Sequence, residues 1–207
     1  MKRYFLTLSV VVCSLVVLSA CAPGNKLVVP GEIARPPLAG PPPAGPPRVV
    51  VSDFSYVPIG GEPDEIGRDY DQARPVVWKG EPGKVMADLL AGAFAGRGVP
   101  ASRVKAGDPA SANVPILVSG TVRRFEVNIR RREMFKVETE ATVALSITAS
   151  GGGLPAPLET SVSITETSQD VYPLPEYYRK VLSSAANAAA EEGVRRLQEG
   201  GAAGIFR

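Results

Sequence analysis

The stretch Phe135-Lys136-Val137-Glu138-Thr139-Glu140-Ala141-Thr142-Val143-Ala144-Leu145-Ser146-Ile147-Thr148 decides the fold class, because its side chains alternate. A period of two places Phe135, Val137, Ala141, Val143, Leu145 and Ile147 on one face of a strand. Lys136, Glu138, Glu140, Thr142 and Ser146 fall on the other. One covered face and one wet face is the mark of an antiparallel sheet.

Working outward, Leu158, Val162 and Ile164 repeat the alternation over Leu158–Thr165. On the other side, Ile116–Ile129 is apolar but changes phase. Ile116, Val118 and Val122 share one parity, and Phe125, Val127 and Ile129 the other. A bulge near Arg123-Arg124 would reconcile the two halves. With turns over Arg130–Glu133 and Ser150-Gly151-Gly152-Gly153, the three strands predict an antiparallel meander.

Two helices flank it. From Pro82 to Arg97, the residues Val85, Met86, Leu89, Leu90, Ala93 and Phe94 recur at helical spacing, with Pro82 in the first turn and Gly98 as the stop. From Pro175 to Glu199, Tyr178, Val181, Leu182, Ala185, Ala189 and Leu197 do the same. Val49–Phe54 reads as a first, largely buried strand, and residues 57–80 as a long loop within which Val76-Val77-Trp78 could form a short strand. The element order is then β-α-β-β-β-α. The expected fold is a two-layer α/β (α+β) sandwich: a mostly antiparallel four-stranded sheet with both helices on one face.

The amino-terminal segment is of a different kind. Lys2 and Arg3 precede an apolar run from Tyr4 to Leu18, the length of a signal-peptide core and short for a membrane span. It ends in Leu18-Ser19-Ala20-Cys21, two small residues and a cysteine, which resembles the lipobox of bacterial lipoproteins. Residues 1–20 are thus read as a signal peptide cut between Ala20 and Cys21. The thiol of Cys21 is read as the lipidation site, where two or three acyl chains hold stably and one alone does not.

Residues 21–47 read as the acylated cysteine and a Pro-rich tether, with prolines at 23, 30, 36, 37, 41, 42, 43, 46 and 47. Fully extended in polyproline II, residues 22–47 would reach about 80 Å. Residues 48–199 read as a small periplasmic α/β domain, and 200–207 as a flexible tail.

Composition excludes several chemistries. The 207-residue chain has no histidine, which removes Ser-His-Asp and Cys-His catalysis and histidine metal sites. Its two cysteines are Cys13, inside the signal, and Cys21, so the mature chain carries no disulfide. Of 23 basic residues, Lys2 and Arg3 leave with the signal, and the remainder balances the 21 acidic ones, which argues against nucleic-acid binding. No nucleophile motif of the Gly-x-Ser-x-Gly kind occurs. The chain reads as a non-enzyme without cofactor or metal.

Three features remain as candidate sites. Arg123, Arg124, Arg130, Arg131 and Arg132 gather positive charge around one strand and one hairpin, as an anion or partner patch or as charge that keeps an edge soluble. The carboxylates at 62, 64, 65, 69 and 71 lack the spacing of a calcium loop and read as a solvated loop. Trp78, Tyr70, Tyr172, Tyr177 and Tyr178 could line a groove, though core or rim placement suits them better.

The lipobox, the tether, Arg48–Tyr56, Lys84–Gly98, Ile116-Leu117-Val118-Ser119-Gly120-Thr121-Val122-Arg123-Arg124-Phe125 and the strand Val137–Ile147 are together similar to small Gram-negative lipoproteins of the YajG type. They are similar also to the auxiliary lipoproteins of ABC-type transport systems. The resemblance implies a small α/β domain on the periplasmic side of the outer membrane, with no catalytic residues. Ala22, in place of aspartate after the cysteine, fits release to the outer membrane. The long tether and the 57–80 loop depart from the simplest YajG pattern.

The expected function is that of a membrane-anchored accessory subunit in envelope maintenance or lipid transport, with an envelope protein or lipid as partner. The alternative is a regulator of peptidoglycan synthesis that resembles penicillin-binding-protein activators, its tether setting the reach. A third reading, an envelope hydrolase using a carboxylate pair, has no motif to name the pair.

Overall fold

The computed structural model describes residues 26–33, 36, 43–58, 62–70, 73–108, 115–133, 136–151, 154–171 and 174–201. Nine strands and two helices lie within them: β1 Leu27–Val29, β2 Val49–Ser52, β3 Ser55–Tyr56, β4 Glu65–Asp69, β5 Arg74–Trp78, α1 Pro82–Gly96, β6 Ala101–Val104, β7 Ile116–Glu133, β8 Lys136–Ser150, β9 Leu158–Asp170 and α2 Pro175–Glu199.

The spine is β7, 18 residues long. One edge pairs antiparallel with β8 from Leu117↔Ser150 to Glu133↔Lys136, and β8 pairs antiparallel with β9. The register shifts between Val122 and Arg124, where the apolar phase changes, so Val122 and Phe125 both face the core. The extra residue absorbs the parity change. A second shift lies between Ile129 and Arg131. The strand runs on to Glu133 opposite Lys136, past the turn expected over Arg130–Glu133.

The other edge of β7 overturns the expected four-stranded, mostly antiparallel sheet. The sheet has nine strands and is mixed. Along the first half of β7, β2 and then β3 pair parallel to it, and β6 pairs parallel to β2. Along the second half, β4 joins parallel at Asp69↔Ile129, β5 pairs antiparallel to β4, and β1 pairs parallel to β5. A strand this long exposes a row of backbone N–H and C=O groups on each edge, and both rows need partners. Segments of two to five residues, too short to show a period, provide them on this side.

Three of these strands lie in stretches read as loop or tether, where the sequence points only to Val76-Val77-Trp78 as a short strand. Glu65–Asp69 and Arg74–Trp78 turn the middle of the 57–80 loop into a hairpin. Leu27–Val29 falls inside the stretch read as tether, yet it is a strand, and its Val29 is fully buried. Ile33 also packs against the core. The apolar triplet Leu27-Val28-Val29 finds an unpaired edge on β5, so the tethering reading cannot extend across it.

Helices α1 and α2 lie against the sheet and meet each other at Gly193. A Cβ there would come within 2.6 Å of Ile147 Cδ1 and 3.3 Å of Leu90 Cδ1. The alanines Ala185, Ala186, Ala189 and Ala190 bury the same side of α2 and permit close approach. Helix α1 ends where Gly98 takes φ +79°, a left-handed conformation that glycine adopts freely, and its N–H donates to Ala95 O. Trp78 of β5 stacks on Phe125 of β7 with ring centroids 4.4 Å apart, joining the short-strand side to the spine.

Candidate functional site

An open trough of about 630 Å³ lies over the outward face of α1. That helix buries Met86, Leu90, Ala93 and Phe94 inward. Its outward face then carries Asp88, Gly92, Ala95 and Gly96, so beyond Leu89, which also borders the trough, nothing larger than a methyl group projects before Arg97. The small residues make the floor. Ser102 and Arg103 of β6 form one wall, Asn187 and Glu191 of α2 the other, and Pro36 also contributes.

The walls are charged but internally matched. Arg103 donates Nε to Asp53 Oδ1 at 2.5 Å, Nη2 to Asp53 Oδ2 at 3.3 Å and Nη1 to Asp88 Oδ2 at 3.2 Å. The hydrogen bond to Asp53 is the main reason its guanidinium is held above the ordinary arginine pKa. This fork ties β6, β2 and α1 together. Across the trough, Arg97 donates to Gln198 Oε1 at 3.1 Å and to Glu191 Oε2 at 3.4 Å. With its cations already engaged by carboxylates, the trough suits apolar side chains arriving over a polar rim better than it suits an anion.

The arginines singled out from the sequence are only partly brought together. Arg124 and Arg130 share the outer face of the sheet and line a smaller hollow of about 280 Å³ with Arg68, Tyr70, Glu126 and Asn128. Arg130 pairs with Glu140 at 2.5 Å, which raises its pKa, and its guanidinium lies 5.3 Å from the Tyr70 ring centroid. Arg131 pairs with Glu133 at 2.8 Å, and Arg123 hydrogen-bonds Ser146 Oγ. Arg132 lies in β7, and its side chain is outside the described residues. Sequence reasoning missed Arg68, because the strand that carries it shows no alternation. Nor did it find Asp53, Asp88 and Arg103, whose meeting depends on strand pairing across about fifty residues.

The acidic loop is dismantled. Glu65 pairs with Arg68, and Asp69 is buried against Arg74 at 3.1 Å; position 71 is outside the described residues. Among the described residues no group of three or more His, Cys, Asp or Glu is placed to hold a metal. The aromatic groove does not form either. Trp78 and Tyr178 are buried, Tyr177 packs edge-on against Tyr178, and Tyr70 lies exposed elsewhere; Tyr172 is outside the described residues. Ala20 and Cys21 are also outside them. Among the described residues no helix is long and apolar enough to cross a membrane.

No protein-family model matches the chain, and no curated protein is similar to it in sequence. Among solved structures, it is similar to a Xanthomonas campestris protein of the DUF330 family, at 15% identity and TM-score 0.52, over 89% of this chain and 98% of that one. A PelC dodecamer from Paraburkholderia phytofirmans aligns at 18% identity and TM-score 0.43, over 77% of this chain and 92% of that one. A candidate lipoprotein from Caulobacter crescentus aligns at 16% identity and TM-score 0.33, over 72% and 85%. The Xanthomonas likeness shows a shared fold, and the chemistry has to be argued from this chain's own residues.

Proposed function

We propose that the chain is a lipoprotein held by acyl chains on Cys21 to the periplasmic side of the outer membrane. There it acts as a non-catalytic accessory subunit in envelope maintenance or lipid transport, as the likeness to YajG-type and ABC-transport lipoproteins implies. One observation carries the reading: the lipobox Leu18-Ser19-Ala20-Cys21 stands six residues ahead of a strand integrated into the sheet. The acylation site therefore adjoins a folded body.

Binding rather than catalysis is supported by the trough. Its floor is apolar and close to backbone, and Arg103 and Arg97 occupy the carboxylates on its walls. A segment of a partner protein with small apolar side chains fits such a surface. The alternative, a regulator reaching across the cell wall, needs a long free tether, and β1 pins the chain at Leu27–Val29.

Mass spectrometry of the mature product tests the anchor. The expected result is an amino-terminal Cys21 carrying acyl mass, and a Cys21→Ser chain that is neither cut there nor membrane-bound. Equal membrane association of the Cys21→Ser chain defeats the proposal. For the trough, Gly96→Phe is suitable, since a Cβ at Gly96 meets nothing within 4 Å. It should abolish partner capture by a photocrosslinker at Ser102 without lowering stability, and unaffected capture retires the trough.

A further inference from the structure

The strand ends place the anchor. Leu27 opens β1 opposite Val76, and β5 begins at Arg74 opposite Asp69, the last residue of β4. Asp69 lies opposite Ile129 near the end of β7, Glu133 faces Lys136 at the start of β8, and Val137 faces Asp170, the last residue of β9. Helix α2 starts just beyond, at Pro175. Six strand ends and one helix start thus face one end of the sheet, staggered over about six residues from Leu27, level with Val127, to the tip at Glu133, and the chain arriving from position 21 meets the fold on that side.

Chain length makes this a constraint. Six residue steps separate Cys21 from Leu27, and no conformation of six residues spans more than about 20 Å. Leu27 pairs with Val76, which pairs with Gly67, so it stands about level with Val127 of β7, and the eleven residues from there to Ile116 at about 3.3 Å each put the opposite rim, with Ser150, Gly151 and Leu158, about 35 Å away. The near rim also shows its apolar tips to solvent: Tyr70 is 55% exposed, Val171 54% and Leu174 63%, three of the five large hydrophobics exposed among the described residues. Its charges are mixed. Exposed Lys26, Lys136 and Arg131 share this end of the sheet with Glu133, which pairs with Arg131, and with Asp170 and Glu176.

We infer that this rim lies directly against the lipid surface, with Val171 and Leu174 at the headgroup level, and that the opposite rim points away from the membrane. The inference rests on acylation of Cys21. The leash and the apolar tips set the contact, because the mixed charge gives the rim no net attraction to anionic headgroups. It should therefore persist at high salt, where surface electrostatics are screened. The trough on α1 is then carried by a body of fixed orientation.

The test uses the full chain, processed in cells and reconstituted in phosphatidylethanolamine and phosphatidylglycerol vesicles containing a headgroup-labelled quencher lipid. With Cys21 acylated, Val171→Cys, Leu174→Cys and Ala156→Cys each offer a single thiol for a fluorophore, all at exposed positions. Quenching several-fold stronger at 171 and 174 than at 156, unchanged in high salt, is the expected result. Equal quenching at both rims, or stronger quenching at 156, overturns the orientation. Intact mass on the same samples separates the two claims. An acylated product quenched at 156 overturns the orientation alone, and a product without acyl mass removes the anchor and the orientation together.

Discussion

The two edges of β7 solve one problem by opposite means. On the β8 side, an antiparallel ladder interrupted by two bulges runs from Leu117 to Glu133, built from segments adjacent in sequence. On the other side the backbone groups that point away from β8 are met by β2, β3 and β4, of which β4 arrives through the single pairing Asp69↔Ile129. Local hairpins need no help to find their register, because a short loop and a strict alternation set it. The short parallel strands rely on what packs over them: Phe54 on Gly120, Trp78 on Phe125, and the Arg103 fork. The first edge is held by the ladder itself, the second by side chains.

That contrast can be broken most forcefully at Trp78. Removing a fully buried ring stacked on the spine by Trp78→Ala should cost about 3–5 kcal/mol in chemical denaturation. A single lowered transition is expected, and two separate transitions would mean that the short-strand side unfolds by itself. Gly120→Ala comes next. Its Cβ would stand 2.3 Å from Ser146 O and 2.8 Å from the Phe54 ring, so one added carbon strikes both edges at once. A loss of about 1–3 kcal/mol is expected by the same measurement, and an unchanged midpoint would show that Phe54 does not hold the second edge.

Val29→Ala should cost about 1.5–2 kcal/mol, against under about 0.5 kcal/mol for Val28→Ala, whose side chain is 42% exposed. Equal, negligible losses would take β1 out of the fold and restore a free tether. The smallest effect is expected at Tyr56 of β3. Burial, helped by nearby Glu126, pushes its hydroxyl up to about 12 from 10.0. The folded state therefore holds that proton more tightly than the unfolded one. Its contribution is complete below about pH 10 and lost as the pH rises toward 12. Tyr56→Phe should flatten the fall in melting temperature over that window, and an identical alkaline profile would place the hydroxyl in water.

Legibility followed the same division. The ends of α2 and the phase change beside Arg123 were readable, because each is written in neighbouring residues: Pro175 and Gly200 for the helix, Val122 and Phe125 for the bulge. Strands β4 and β6 were not. Glu65-Ile66-Gly67-Arg68-Asp69 offers one large apolar side chain, and Ala101-Ser102-Arg103-Val104 has no period. Leu27-Val28-Val29 was hidden by the prolines around it. The trough was invisible for a related reason. Its floor is an absence of side-chain bulk at Gly92, Ala95 and Gly96, and small residues on a helix carry no sign of what stands beside them.

Local order thus decided a great deal: two amphipathic helices, and a meander whose alternation is set by the two-residue period of a strand. Tertiary structure alone decided which distant segments complete the sheet. Three or four residues specify too little energy to choose an edge by themselves, and they become strands only where a long neighbour already offers unpaired hydrogen-bonding groups and an apolar layer to lie under.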